Sequence, residues 1–282
     1  PSLLGSVFAS LGFCENPDPA AAASPTDVAR GAMLCPGCPH RPVMVALRDL
    51  NIFCHGDIGC YLMGSYKPFE VLHTSISMGA SIGIAQGFAK ALQGTDKDIP
   101  NVVSVIGDST LCHSGLPGVI NYGYNDHRTK LLVLDNRATS MTGLQDNPVT
   151  GKSVRGEQNT AVDLEEVLRA LGIDNVTKVN QFSLEACKKV FTEKFLEEEG
   201  PLAVIATGEC ALKYKKKRLT YYVDPEVCIG CRSCIQVGCP PISMRQYPGE
   251  EAGVKRSHID PQRCVGCSVC FQLFPVKAIK PL

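Results

Sequence analysis

The chain has 282 residues, enough for one large domain and a small one. Lys and Arg together number 28, as do Asp and Glu, so no global basic charge points to nucleic acid, and 44% hydrophobic against 20% charged residues excludes a disordered chain. No apolar run approaches the roughly 18 residues of a membrane span, and the first residues lack the basic start and apolar core of an export signal, so a cytoplasmic protein with no membrane partner is expected.

Residues 1–30, with their Pro- and Ala-rich tract, read as a linker or the remnant of an upstream domain. Residues 31–212 alternate in pattern. Short apolar runs at 102–106, 131–134 and 202–206, with weaker ones at 52–54 and 176–179, predict buried parallel strands. Between them, 78–92, 115–125, 164–171 and 183–198 predict helices. This alternation predicts an α/β domain, with helices on both faces of a parallel sheet and ligands at the carboxyl ends of its strands. Residues 213–220 hold the basic run Lys213, Lys215, Lys216, Lys217 and Arg218, read as a solvated linker in preference to a docking patch for an acidic electron carrier.

Residues 221–282 contain a repeat: the segment from Val223 to Cys228 is echoed from Ile259 to Cys264, implying a pseudo-two-fold unit. Each copy opens a cysteine run, Cys228, Cys231, Cys234 and Cys239-Pro240 in the first and Cys264, Cys267, Cys270 and Phe274-Pro275 in the second. This is the spacing of a two-cluster ferredoxin, an α+β domain in which the fourth Cys of each run ligates the other cluster. Zinc sites rarely use three tandem cysteines followed by Cys-Pro. Crossed ligation completes a 4Fe-4S site from Cys239, Cys264, Cys267 and Cys270. It leaves Cys228, Cys231 and Cys234 facing Phe274, which cannot bind iron. That second site is a three-iron (3Fe-4S) cluster, a four-iron cluster with a distant or non-protein ligand, or empty, and the three-iron form is the first expectation.

In the large domain, Cys35 and Cys38 form a C-x-x-C, Cys60 follows a Gly, and Cys210 follows the last strand. Spacing alone leaves a third cluster, a redox-active pair and unrelated buried thiols all open. Cys14, Cys54, Cys112 and Cys187 read as buried free thiols, and His40 and His73 as structural histidines. At the end of the 102–106 run stand Gly107, Asp108 and Ser109; after 25 intervening residues, Asp135 and Asn136 end the 131–134 run. An Asp and an Asn converging from two strand ends, with a backbone carbonyl, offer hard oxygen ligands for Mg²⁺ beside a diphosphate.

These residues together are similar to known ones. Gly107-Asp108-Ser109 with Asp135-Asn136 resembles the thiamine diphosphate motif, with Ser for the last Gly and Asp for the first Asn. Cys35 to Arg41, Asp57 to Tyr61, Met78 to Gly83 and Met141 to Gly143 resemble the large subunits of indolepyruvate:ferredoxin oxidoreductases, within the 2-oxoacid:ferredoxin oxidoreductase family. The resemblance covers residues 33–282. It implies a thiamine-diphosphate-binding parallel-sheet domain followed by a ferredoxin-like domain, and oxidative decarboxylation of a 2-oxoacid with CoA, with electrons passing to ferredoxin.

The same resemblance implies that Asp108, Asn136 and the carbonyl of Ala138 hold Mg²⁺. Ile58, Gly59, Cys60, Tyr61, Gly107, Ser109, Thr110, Ser140 and Met141 would line the cofactor pocket. Cys35, Cys38, Cys60 and Cys210 would hold a cluster beside thiamine. A partner subunit bearing the pyrimidine-binding domain would supply the activating Glu, and a small gamma-type subunit would complete the assembly. The sequence departs from the family at Leu144, where a His is usual, and at Phe274. A non-redox thiamine-dependent decarboxylase or synthase with an appended ferredoxin is the alternative reading; an electron-transfer subunit with a decayed thiamine site is another.

Overall fold

The computed structural model describes residues 31–97, 101–125, 128–216, 219–249, 253–273 and 275–282. Cys14, Lys217, Arg218 and Phe274 lie outside the described residues. Residues 33–282 form one compact unit.

Six strands make a wholly parallel sheet: β1 (Cys54–Gly56), β2 (Leu72–Ser75), β3 (Val103–Gly107), β4 (Lys130–Asp135), β5 (Asn175–Asn180) and β6 (Leu202–Thr207). Their order is β2-β1-β3-β4-β6-β5. The order turns outward between β1 and β3, which opens a crevice at the carboxyl ends of these two strands.

The helices are α1 (His40–Asp49), α2 (Ala80–Leu92), α3 (Leu116–Asn125), α4 (Leu164–Ala170) and α5 (Leu184–Phe191). Period-two alternation along the strands sends side chains into two cores. Leu132 and Leu134 of β4, with Leu202 and Val204 of β6, join α1 and α5 on one face. Leu131 and Val133, with Ala203 and Ile205, join α2, α3 and α4 on the other. The predicted α/β sandwich is therefore present.

Several boundaries differ for local reasons. The run at 52–54 is paired only from Cys54, so β1 lies further on. Helix α2 begins at Ala80 rather than at Met78. Gly79 is left-handed at φ 86°, and the Asp57 carboxylate accepts from the N–H groups of Gly79 (3.0 Å) and Ser81 (2.6 Å). Helix α5 loosens into a π-helical segment over Thr192–Glu197. Strand β2 and helix α1 were not predicted.

The C-terminal segment pairs across its two halves: β7 (Tyr221–Val223) with β10 (Ile279–Pro281), and β8 (Ile242–Arg245) with β9 (Arg256–Ile259), both antiparallel. The repeat extends to the backbone of the cysteine loops. Gly230 and Gly266 both sit at φ 68°, and Arg232 and Ser268 follow the middle cysteines at φ 64° and φ 62°. A left-handed non-glycine residue recurring at the same loop position marks a backbone shaped for a task. Among the described residues no helix is long and apolar enough to cross a membrane.

Candidate functional site

Three loops leave the carboxyl ends of β1, β3 and β4 and close around a cavity of about 160 Å³. Ile58, Gly59, Cys60 and Tyr61 come from the first, Gly107, Asp108, Ser109 and Thr110 from the second, and Asn136, Ala138, Ser140 and Met141 from the third. All twelve residues assigned to the cofactor from sequence line this one space. His40, Met78, His113, Leu134, Thr139 and Thr142 line it too and were not assigned to it.

The walls are held by hydrogen bonds. The Gly107 N–H donates to the Tyr61 hydroxyl (3.1 Å), and Thr139 donates to Ser109 (2.7 Å). A Cβ at Gly59 or Gly107 would meet the Tyr61 ring at 2.6 or 3.0 Å, so the ring closes this wall only against glycine. Asp108 is almost fully buried and accepts from the Asn147 amide at 3.0 Å. Burial lifts the Asp108 carboxyl above its usual range and the Asp135 charge adds to this; burial lifts Asp135 as well. Two neighbouring buried carboxyls fit a divalent cation, whose charge would offset both.

Asn136 ends a buried relay. Gln181 Nε2 donates to the carbonyls of Ala206 (2.7 Å) and Asp135 (3.1 Å), which leaves Oε1 as the acceptor for His40 Nδ1 (3.0 Å). His40 Nε2 then accepts from Asn136 Nδ2 at 3.2 Å. Burial lowers the His40 pKa to about 4, in keeping with a neutral ring. The Asn136 side-chain oxygen accepts from Ala138 N–H (3.1 Å) and keeps a second lone pair. His40 is thus hydrogen-bonded through both ring nitrogens, and it also lines the cavity. His73 stacks on Phe53 at 3.9 Å, away from it.

The cysteines gather as two sets of four and one of three. Cys35, Cys38, Cys60 and Cys210 act electrostatically on one another, and burial raises the first three thiols. Cys239 and Cys270 are raised by burial, and each also feels Cys264 and Cys267. Cys234 feels Cys228 and Cys231. Cys239 therefore stands with the second run and not with its own. Among the described residues no three His, Cys, Asp or Glu close on a single metal ion. Ser257 was not foreseen: its N–H donates to Cys228 Sγ (3.4 Å) and its hydroxyl meets Cys234 Sγ (3.0 Å).

Other assignments change. Cys54 and Cys187 are buried, but Cys112 is half-buried in the π-helical segment Leu111–Gly115. Lys213 pairs with Asp146 and Lys216 with Glu209, each at 2.5 Å, and the Lys216 side chain stays exposed to solvent. A larger cavity of about 520 Å³ beyond β4 carries none of the assigned residues. Its lining charges are paired, Arg137 with Asp135 at 4.0 Å, Lys178 with Asp163 at 3.7 Å and with Glu165 at 2.8 Å, and Glu209 with Lys216 at 2.5 Å.

Comparison with known proteins gives two family matches. Residues 57–206 match the model "Thiamine pyrophosphate enzyme, C-terminal TPP binding domain", and residues 220–273 match the "4Fe-4S dicluster domain". The indolepyruvate oxidoreductase subunit IorA of Pyrococcus horikoshii is 38% identical over 232 residues, covering 76% of this chain and 36% of that one. Its counterpart in Archaeoglobus fulgidus is 36% identical over 264 residues, covering 89% and 40%. The chain therefore spans little more than a third of the length of these relatives. A solved 2-oxoglutarate:ferredoxin oxidoreductase from Magnetococcus marinus shares the fold at TM-score 0.56 and 17% identity, over 67% of each chain.

Proposed function

The chain belongs to the thiamine pyrophosphate enzymes through their C-terminal cofactor-binding domain, and on that premise we propose that it is the catalytic and electron-exit portion of a 2-oxoacid:ferredoxin oxidoreductase. The reaction joins a 2-oxoacid and CoA to give an acyl-CoA, CO₂ and a proton, while two electrons leave, one to each of two oxidised ferredoxins. The names of the relatives suggest indolepyruvate as the 2-oxoacid.

Thiamine diphosphate, when bound, supplies the electron sink for the carbanion left by decarboxylation. The protein's part is to hold and shield it. Asp108, the Asn136 side-chain oxygen and the Ala138 carbonyl would hold Mg²⁺, and the helical turn that opens at Asp108 would offer its first N–H groups to the diphosphate. Tyr61 and Met141 wall the cavity. Thiolates of Cys35, Cys38, Cys60 and Cys210 would bind the first cluster. Cys239, Cys264, Cys267 and Cys270 would bind the second, and Cys228, Cys231 and Cys234 a third with one corner lacking a cysteine. A partner would bring the pyrimidine-binding domain with its Glu, and a gamma-type subunit and ferredoxin would complete the system.

The observation that carries this reading is Cys60, which both lines the cavity and belongs to the four-cysteine set. A non-redox decarboxylase has no use for a cluster against its thiamine. Iron, sulfide and thiamine should therefore be quantified in anaerobically purified wild type and in Cys60→Ala. The variant is expected to lose one cluster's worth of iron. Equal iron in the two proteins would favour the non-redox reading.

A further inference from the structure

Helix α1 starts two residues after Cys38 and carries Arg41, whose side chain is 1% exposed. Its Nη2 donates to the carbonyls of Leu34 (2.7 Å) and Cys35 (2.9 Å), on the loop that bears the first two cysteines. Its Nη1 donates to the carbonyls of Val237 (2.8 Å) and Gly238 (2.5 Å), which immediately precede Cys239. One guanidinium thus clamps the ligand loops of two different cysteine sets.

Two features are unsatisfied by the clamp alone. Arg41 Nε is buried and has no acceptor among the described residues. No carboxylate among them pairs with Arg41 either, and a buried cation without a counter-charge is strongly disfavoured. The groups around it are thiols: its charge acts on Cys35, Cys38 and Cys239. Thiolates binding iron are anionic, so a cluster on each side would supply the missing counter-charge and sulfur acceptors for Nε–H.

The Cys35/Cys38 loop also packs against the Cys264/Cys267 loop of the second set. Gly37, between Cys35 and Cys38, is left-handed at φ 72°, and a Cβ there would fall 2.3 Å from Val265, between Cys264 and Cys267. Arg48, two turns along α1, holds the neighbouring Gln236 carbonyl at 2.8 Å and is paired with Asp49. It anchors the same turn, with its charge already matched.

We propose that Arg41 is a positioning residue shared by two iron–sulfur clusters: it fixes the Cys35/Cys38 loop against the Cys239 loop, gives Nε–H to a cluster sulfur, and raises both reduction potentials. The inference rests on the cluster assignment under Proposed function. Its sign follows from charge. Reduction adds an electron, and a buried cation beside both clusters favours the reduced state of each.

The test is an anaerobic redox titration of the holoprotein followed by electron paramagnetic resonance, after iron has been counted. In Arg41→Met, both four-cysteine clusters should titrate lower. At fixed potential their reduced-to-oxidised ratio should fall about tenfold, which is 59 mV for one electron. The cluster at Cys228, Cys231 and Cys234 should not move, and Arg48→Met should leave all three in place. If Arg41→Met does not fold, pulsed resonance on wild type carrying ¹⁵N-arginine should show coupling between a guanidinium nitrogen and a reduced cluster. No coupling there, full iron with unmoved potentials in Arg41→Met, or an equal shift in Arg48→Met overturns the role of Arg41 alone. A wild type that holds no iron at Cys35, Cys38, Cys60 and Cys210 overturns the cluster assignment itself.

Discussion

Replacing Gln181 with Leu tests the relay that orients Asn136. Gln181 is fully buried and its amide is used at both ends. The Asp135 carbonyl still accepts from Gly208 N–H at 2.9 Å, so it keeps a partner. His40 Nδ1–H does not, and an orphaned buried donor costs about 1–3 kcal/mol. The ring can escape by moving its proton to Nε2, but that nitrogen then no longer accepts from Asn136. Either way Asn136 loses one of its three side-chain partners and is held only by the Ala138 N–H (3.1 Å) and the Ser140 hydroxyl (3.2 Å). Loss of such outer support typically lowers metal affinity about 10–100-fold. The assay is the Mg²⁺ dependence of thiamine diphosphate retention by equilibrium dialysis, with denaturant unfolding in parallel. Gln181→Leu should be destabilised by about 1–3 kcal/mol and need more Mg²⁺. A variant that is destabilised but retains cofactor at the wild-type Mg²⁺ concentration would show that the relay is only packing.

Three further outcomes are expected. Asp108→Ala and Asn136→Ala should each abolish Mg²⁺-dependent thiamine diphosphate retention with iron content intact; unchanged thiamine in either would remove the ligand assignment. His55 is buried with Nε2 unpartnered among the described residues, and burial, then the His73 charge, lowers its pKa to about 4. Below about pH 6.5 the unfolded chain takes up a proton that native His55 refuses, so stability present above that pH is lost as pH falls toward 4, by at most about 1.4 kcal/mol per unit. His55→Phe should flatten this part of the stability profile, measured by denaturant titration at each pH. Phe274→Cys should convert a three-iron resonance of the oxidised protein into a four-iron cluster; two ordinary four-thiolate cubes already present in the wild-type C-terminal domain would refute that.

The candidate site was legible because the residues assigned to it sit at strand ends. A buried parallel strand announces itself as an apolar run, and the residue after it must lie at the sheet's carboxyl edge, so Asp108, Asn136 and Cys210 could be brought together without coordinates. The twelve cavity residues owe their assignment to the resemblance. Helix α1 was missed although its sequence is amphipathic: Pro42 in its first turn reads as a breaker, and the polar His40 and Arg41 are buried along with the apolar residues up to Leu47. Strand β2 is short and carries His73 and Thr74, and so gives no apolar run. Gln181 could not be foreseen either. A lone Gln after a strand has no spacing signature, and its role exists only because β5 and β6 place it beneath His40. The same holds for Arg41, whose carbonyl partners at Val237 and Gly238 lie nearly two hundred residues away along the chain.

The central claim is that the thiamine site and the Cys35/Cys38/Cys60/Cys210 set form one redox unit. It is tested most directly by mixing the assembled holoenzyme anaerobically with a 2-oxoacid and CoA, freezing on the millisecond scale and recording cluster resonances alongside CO₂ release. The account predicts reduced-cluster signals that rise with CO₂ and vanish when ferredoxin is added. Release of CO₂ with every cluster left oxidised would contradict it.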